Sequence, residues 1–233
     1  MEPAPEHPKP RLSRELLIPA GDAVLQGALD LPPADLGLVV FAHGSGSGRN
    51  SPRNLYVARR LWQAGLGTLL FDLLTAHEQA LDRRGAALRF DIGLLARRLV
   101  AVVDWLHGEE SMPGSRLGLF GASTGAAAAL LAAARRPRRV SAVVSRGGRP
   151  DLAGAELAQV LAPTLLIVGG LDTEVIELNR LAAGQLRCEH DLRIVPGATH
   201  LFEEPGTLGE VAGLAAAWFL AHAGATSGVR SGA

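Results

Sequence analysis

The chain has 233 residues with 23 basic and 23 acidic side chains, so its formal charge is zero and no global field draws it to nucleic acid or to an anionic membrane. Apolar residues make up 48% and aromatics only 4%, which suits one domain with a core packed by Ala, Leu and Val. The single cysteine, Cys188, excludes an intrachain disulfide framework, and no apolar stretch of about 18 residues runs free of charge or turn signals, so the expectation is a cytoplasmic protein without a membrane span.

Residues 1–14 read as a flexible tail: Met1 to Pro10 carries Glu2, Glu6 and Lys9 among four prolines and lacks the apolar stretch of a signal peptide. Glu15 to Pro19 and Val24 to Leu31 are predicted strands joined by the turn Ala20-Gly21-Asp22. After Pro32-Pro33 come a strand over Leu36 to Ala42, an amphipathic helix over Asn54 to Ala64 and a strand over Gly67 to Leu73. The 17 residues Leu74 to Phe90 form a flap that Asp82, Arg83 and Arg84 make too charged for an apolar lid. A long helix follows over Phe90 to His107. The apolar strand Arg116 to Phe120 then enters Gly121-Ala122-Ser123-Thr124-Gly125 and the helix-forming run Ala126 to Leu131, closed by Arg135, Arg136, Arg138 and Arg139, where cations favour the negative end of the helix dipole. The remaining elements are a strand over Val140 to Ser145, a helix over Leu152 to Leu161 with Asp151 as its N-cap, a strand over Thr164 to Gly169, a helix over Glu174 to Leu186, a strand over Leu192 to Val195 and a helix over Leu208 to His222. Residues 223–233 read as a second flexible tail, leaving residues 15–222 as the domain.

Apolar strands alternating with helices predict an α/β fold with a mostly parallel, eight-stranded sheet covered on both faces. Ligands bind such sheets outside the carboxyl ends of the strands. The polar residues at those ends are His43 to Ser47, Asp72, Ser123, Ser145 to Arg149, Asp172 and His200. Only Arg146 to Ala162 separates one strand from the next, which leaves no room for a cap domain and predicts an open site.

Ser123 stands where a strand passes abruptly into a helix, a placement that holds a hydroxyl clear of the backbone for attack on a carbonyl. Gly121 and Gly125 let strand and helix cross closely. A serine hydroxyl needs a base, and the base an orienting carboxylate. His200 and Asp172 follow the last two strands, and the order Ser, Asp, His allows one helix and one strand between the last two. Asp72 is the other candidate carboxylate; it orders loops or touches substrate in the reading that gives Asp172 the acid role. Backbone donors for a developing oxyanion are expected from Thr124 and from Gly44 or Ser45, in a loop that His43 organises. That loop lacks a following Lys-Ser/Thr and the G-x-G-x-x-G spacing, so it does not read as a phosphate cradle. Arg146 and Arg149 flank Gly147-Gly148 beside the serine; a guanidinium there either holds a substrate carboxylate or pairs with Asp151 and loop carbonyls to shape the rim. His77, His107, His190 and His222 read as surface residues, and Cys188 as an incidental thiol.

With these residues in place, the chain resembles the α/β-hydrolase superfamily across about residues 15 to 222. The wording of Phe41-Ala42-His43-Gly44-Ser45-Gly46-Ser47, Phe71-Asp72-Leu73-Leu74, Gly121-Ala122-Ser123-Thr124-Gly125 and Ala198-Thr199-His200-Leu201-Phe202 is similar to dienelactone hydrolase-like proteins, in a branch whose members are sometimes fused to a phosphoribosyltransferase, a partner for which this chain has no room. The resemblance implies a hydrolase without metal or cofactor, acting on a small-molecule ester. Dienelactone hydrolases carry cysteine where this chain has Ser123, so general esterase activity on short or soluble esters is the expectation, with lactones a further class to test. Acyl transfer or perhydrolysis on the same residues, and a ligand-binding module on a hydrolase scaffold, are the alternatives.

Overall fold

The computed structural model describes residues 13–33, 36–85, 87–108 and 117–223. Positions 1–12 and 224–233 of the expected tails, and Arg116 of the expected strand, lie outside the described residues. Eight strands form one sheet: β1 (Ser13–Ala20), β2 (Ala23–Asp30), β3 (Leu38–Ala42), β4 (Gly67–Phe71), β5 (Leu117–Ala122), β6 (Val140–Arg146), β7 (Thr164–Gly169) and β8 (His190–Val195). Their order is β1-β2-β4-β3-β5-β6-β7-β8, with β2 antiparallel to both of its neighbours and every other pairing parallel. The helices are α1 (Pro52–Gln63), α2 (Ala76–Gly85), α3 (Ile92–Gly108), α4 (Thr124–Arg135), α5 (Thr173–Ala183) and α6 (Thr207–Ala223).

Both faces of the central strands are covered, so their side chains are apolar throughout and alternate between two cores. In β3, Leu38, Val40 and Ala42 join the layer that holds Leu95, Leu99 and Val102 of α3, whereas Val39 and Phe41 join Val57 and Leu61 of α1 and Val211 and Phe219 of α6. α4 is buried from Thr124 to Ala133, which its run of alanines permits because a helix enclosed on all sides needs small residues for close approach. The arginines at its end neutralise neighbours: Arg135 pairs with Glu156, while Arg136 and Arg139 share Asp104.

Several expectations need correction. The flap over 74–90 contains helix α2 and a short 3-10 turn at Leu88–Phe90. Thr75 and Glu78 cap α2 reciprocally: the Glu78 amide donates to Thr75 Oγ1 (3.1 Å) and the Thr75 amide to Glu78 Oε2 (2.7 Å). Glu78 also accepts from buried Arg98 of α3 (2.8 Å), whose guanidinium donates to the Ala20 carbonyl as well. Asp82 is buried rather than solvated, and Arg89 and the Leu88 and Arg89 amides hold its carboxylate. The expected helix over 152–161 is a 3-10 run, Pro150–Gln159, broken at Gly154, whose φ of 55° is non-helical. Asp151 does not cap it; both its oxygens accept from Arg149. His222 is partly buried against the Trp218 ring, in contrast to exposed His77, His107 and His190. No helix among the described residues is long and apolar enough to cross a membrane.

Candidate active site

Ser123 links β5 to α4 with φ 50° and ψ −122°, a left-handed backbone that a residue with a Cβ rarely adopts. The surroundings hold it there. Its amide donates to the Arg146 carbonyl (3.2 Å), and its own carbonyl accepts from the Ala126 and Arg149 amides, both at 3.1 Å. The flanking glycines are required by contact: a Cβ on Gly121 would lie 2.4 Å from Ala126 Cα, and one on Gly125 would lie 2.2 Å from the Ala42 carbonyl oxygen.

The ends of β7 and β8 are bound to each other before any side chain is considered. Gly170 donates to the Val195 carbonyl (2.8 Å) and Leu171 to the Ala198 carbonyl (2.9 Å). Across this seam His200 Nδ1 donates to Asp172 Oδ2 at 2.6 Å, which leaves Nε2 as the nitrogen free to take a proton. Thr199 is tied to Glu204 through its amide and hydroxyl, and Phe202, at φ 57° and fully buried, completes the turn that carries the imidazole.

Ser123 and His200 line one cavity of about 230 Å³, together with Gly44, Ser45, Arg53 and Arg146. The loop after β3 closes over the serine, since a Cβ on Gly44 would lie 3.0 Å from Ser123 Cβ. Ser45 donates its amide to Thr124 Oγ1 (3.0 Å), a contact that pins the loop to the first residue of α4. His43 braces the loop from behind: Leu73 donates to its Nε2 (3.0 Å), so Nδ1 carries the proton and donates to the Gly44 carbonyl (3.0 Å). Burial lowers its pKa below the ordinary 6.5, outweighing the Gly44 bond and the Asp72 charge that act the other way. The far side of this loop walls a second cavity of about 250 Å³ under α2, lined by Gln79, Asp82 and Arg89.

Of the carboxylates weighed from sequence, only Asp172 meets the histidine. Asp72 accepts from the Arg49 amide (2.9 Å) and faces its Nε at 3.3 Å, so it orders the loop beyond Ser47 and does not line the Ser123 cavity. The two arginines also separate: Arg149 is paired with Asp151, whereas Arg146 is buried in the wall of the cavity. Burial and the charge of Arg53 push the Arg146 guanidinium down to about 10. Sequence reasoning missed Arg53 and Thr124 Oγ1. Ser51-Pro52 was the signal for Arg53, because Pro favours the first helical turn and starts α1 at the sheet's carboxyl edge.

This sheet order, with an elbow after β5 and acidic and histidine loops after β7 and β8, defines an α/β hydrolase. The dienelactone hydrolase family model matches residues 28–221, and the chain belongs to that family. It is 54% identical to a dienelactone hydrolase of known structure from Anabaena variabilis, with a TM-score of 0.90 over 91% of this chain and 99% of that one. A protein of Mycobacterium tuberculosis H37Rv named "Putative phosphoribosyl transferase Rv0571c" is 54% identical over 213 residues, 91% of this chain and 47% of that protein. The chain thus spans about half the length of the curated relatives it matches. An α/β serine hydrolase without a lid from Xanthomonas campestris shares the fold at 23% identity, with a TM-score of 0.71 over 96% of this chain and all of that one.

Proposed function

We propose that the protein is a serine esterase that cleaves short or soluble carboxylic esters through an acyl-enzyme on Ser123. The observation that carries this reading is the 2.6 Å bond from His200 to Asp172, with His200 lining the same cavity as a serine held at positive φ. Ser123 Oγ attacks the ester carbonyl as its proton passes to His200 Nε2; the imidazolium that forms is stabilised by Asp172 and then protonates the departing alkoxide. Water, deprotonated by the same imidazole, attacks the acyl carbonyl, and the imidazolium returns that proton to Ser123 Oγ as the acyl–oxygen bond breaks and the acid leaves. The oxyanion is received by the Thr124 amide and by the Gly44 or Ser45 amide, the latter exchanging its bond to Thr124 Oγ1 for one to the substrate.

The phosphoribosyl transferase named for the mycobacterial relatives is not part of this reading, because the stretch shared with them overlaps the one that matches the hydrolase family. The chemistry proposed needs only side chains, backbone amides and water, and a cytoplasmic enzyme is the reading that goes with it. Hydrolysis of dissolved 4-nitrophenyl acetate and butyrate tests it: turnover that disappears in Ser123→Ala is expected, and equal rates in the two proteins would overturn it.

A further inference from the structure

The buried stripe of α5 consists of Val175, Ile176, Asn179 and Ala182. That spacing calls for an apolar side chain at every position, yet the third is an asparagine with no exposed surface. Its Nδ2 donates to the Val175 carbonyl of its own helix (2.8 Å) and, outside the helix, to the Gly148 carbonyl (3.0 Å). Its Oδ1 is buried with no hydrogen-bond partner among the described residues. An amide half satisfied in the core is costly where a branched apolar side chain would serve the packing, which gives the Gly148 bond a role other than stability.

Gly148 belongs to the turn over 146–149 that leaves β6, and this turn touches both Ser123 and His200. The Arg146 carbonyl accepts from the Ser123 amide (3.2 Å) and the Arg149 amide donates to the Ser123 carbonyl (3.1 Å), so the strained elbow residue is bracketed on both sides. Gly147, at φ 49°, donates to the Ile167 carbonyl of β7 (2.7 Å). A Cβ there would lie 3.0 Å from the His200 carbonyl oxygen and 3.6 Å from Cε1, the ring carbon between the two imidazole nitrogens. On Gly148 a Cβ would lie 2.6 Å from the Ala126 Cβ of α4. Asn179 adds the link to the acid. It stands two helical turns along from Asp172, the N-cap of α5, whose carbonyl accepts from the Ile176 amide (2.9 Å).

We propose that Asn179 is a positioning residue for the serine chemistry: by holding the turn over 146–149 to α5, it fixes Ser123 in register with the His200–Asp172 pair. The inference rests on the esterase reading of Ser123 and adds a residue that reading does not use. Asn179 reaches no reacting atom and acts only through Gly148. Proton transfer from Ser123 Oγ to His200 Nε2 requires hydrogen-bond distance, and a misplacement of about 1 Å costs about 10²-fold in rate. A turn released from Asn179 can slip by that much between Ser123 on one side and the imidazole on the other.

The test uses Asn179→Leu, which keeps the branching and fits the apolar stripe, and Asn179→Ala, which cannot overpack it. The rate constant for phosphonylation of Ser123 by a fluorophosphonate is measured per folded molecule, alone and in an Asp172→Asn background, together with kcat and KM for 4-nitrophenyl butyrate. In either variant phosphonylation and kcat are expected to fall at least tenfold while KM changes less than twofold. With Asp172→Asn already present, the further loss should be less than twofold, because groups that act as one unit do not lose activity independently. An unchanged phosphonylation rate, or the same fold-loss in both backgrounds as general damage to the core would give, would overturn the proposal. Failure of the esterase reading looks different: the unmutated protein would hydrolyse no ester, while phosphonylation of Ser123 would still slow in the Asn179 variants.

Discussion

Asp172 occupies the N-cap of α5, yet its carboxylate bonds His200 Nδ1 at 2.6 Å and none of the helix amides. An aspartate at this position ordinarily satisfies one of those amides, so here the side chain is committed to the imidazole at the expense of the cap. Asp172→Asn is therefore expected to lower kcat about 10³–10⁴-fold while leaving thermal stability within about 1 kcal/mol, since the altered group caps nothing. Steady-state kinetics with a parallel melting curve checks both halves. Asp72→Asn, which loosens Arg49, should cost less than tenfold; a reversal of the two effects would move the acid role to Asp72.

The elbow should fail sterically before it fails chemically. Gly125→Ala sets a methyl against the Ala42 carbonyl and Gly121→Ala sets one against the backbone of Ala126, neither of which can swing aside. Each is expected to destabilise the protein by about 3 kcal/mol or more. Gly213, exposed in α6 with nothing within 4 Å of a new Cβ, provides the contrast: Gly213→Ala should stabilise by about 0.4–1 kcal/mol. Denaturant unfolding of the three variants measures both signs.

His43 makes stability depend on pH. Its folded pKa lies below the ordinary 6.5, so on acidification the unfolded chain takes up a proton before the folded protein does. The stability it contributes is fully present above pH 6.5 and is lost as pH falls from there through the folded value. Between pH 7 and 5 the unfolding free energy should fall more steeply in the unmutated protein than in His43→Gln; parallel curves would show that the brace is not titrating.

The connection from β6 to β7 holds only the broken 3-10 run, and no cap layer arises from it. Dissolved acetate and butyrate esters should accordingly be hydrolysed faster than emulsified long-chain triglycerides, without a rise in rate at the lipid interface. A rate jump above the solubility limit of the substrate would contradict an open site.

Much of this architecture was legible because buried parallel strands must be apolar and because a serine elbow demands small neighbours at fixed offsets. The chain around Ser123 carries both constraints, and so do the loops of Asp172 and His200, which follow apolar strands. What escaped depends on tertiary pairing. The helix α2 is announced by Thr75-Ala76-His77-Glu78, a capping box hidden in a charged stretch, but its docking rests on Arg98 some 20 positions away. Asp151 reads locally as a cap and is instead claimed by Arg149. Strand ends shifted by a few residues for the same reason: Asp72 and Leu73 extend the apolar run of β4 but turn their amides to Gln26 and to His43.

The most direct measurement of the central claim is intact and peptide mass spectrometry after reaction with a fluorophosphonate. One phosphonyl group per chain on the peptide containing Ser123, none in Ser123→Ala, and a much slower reaction in His200→Ala are expected if the serine is activated as proposed. An unlabelled protein, or a label that persists in Ser123→Ala, would contradict it.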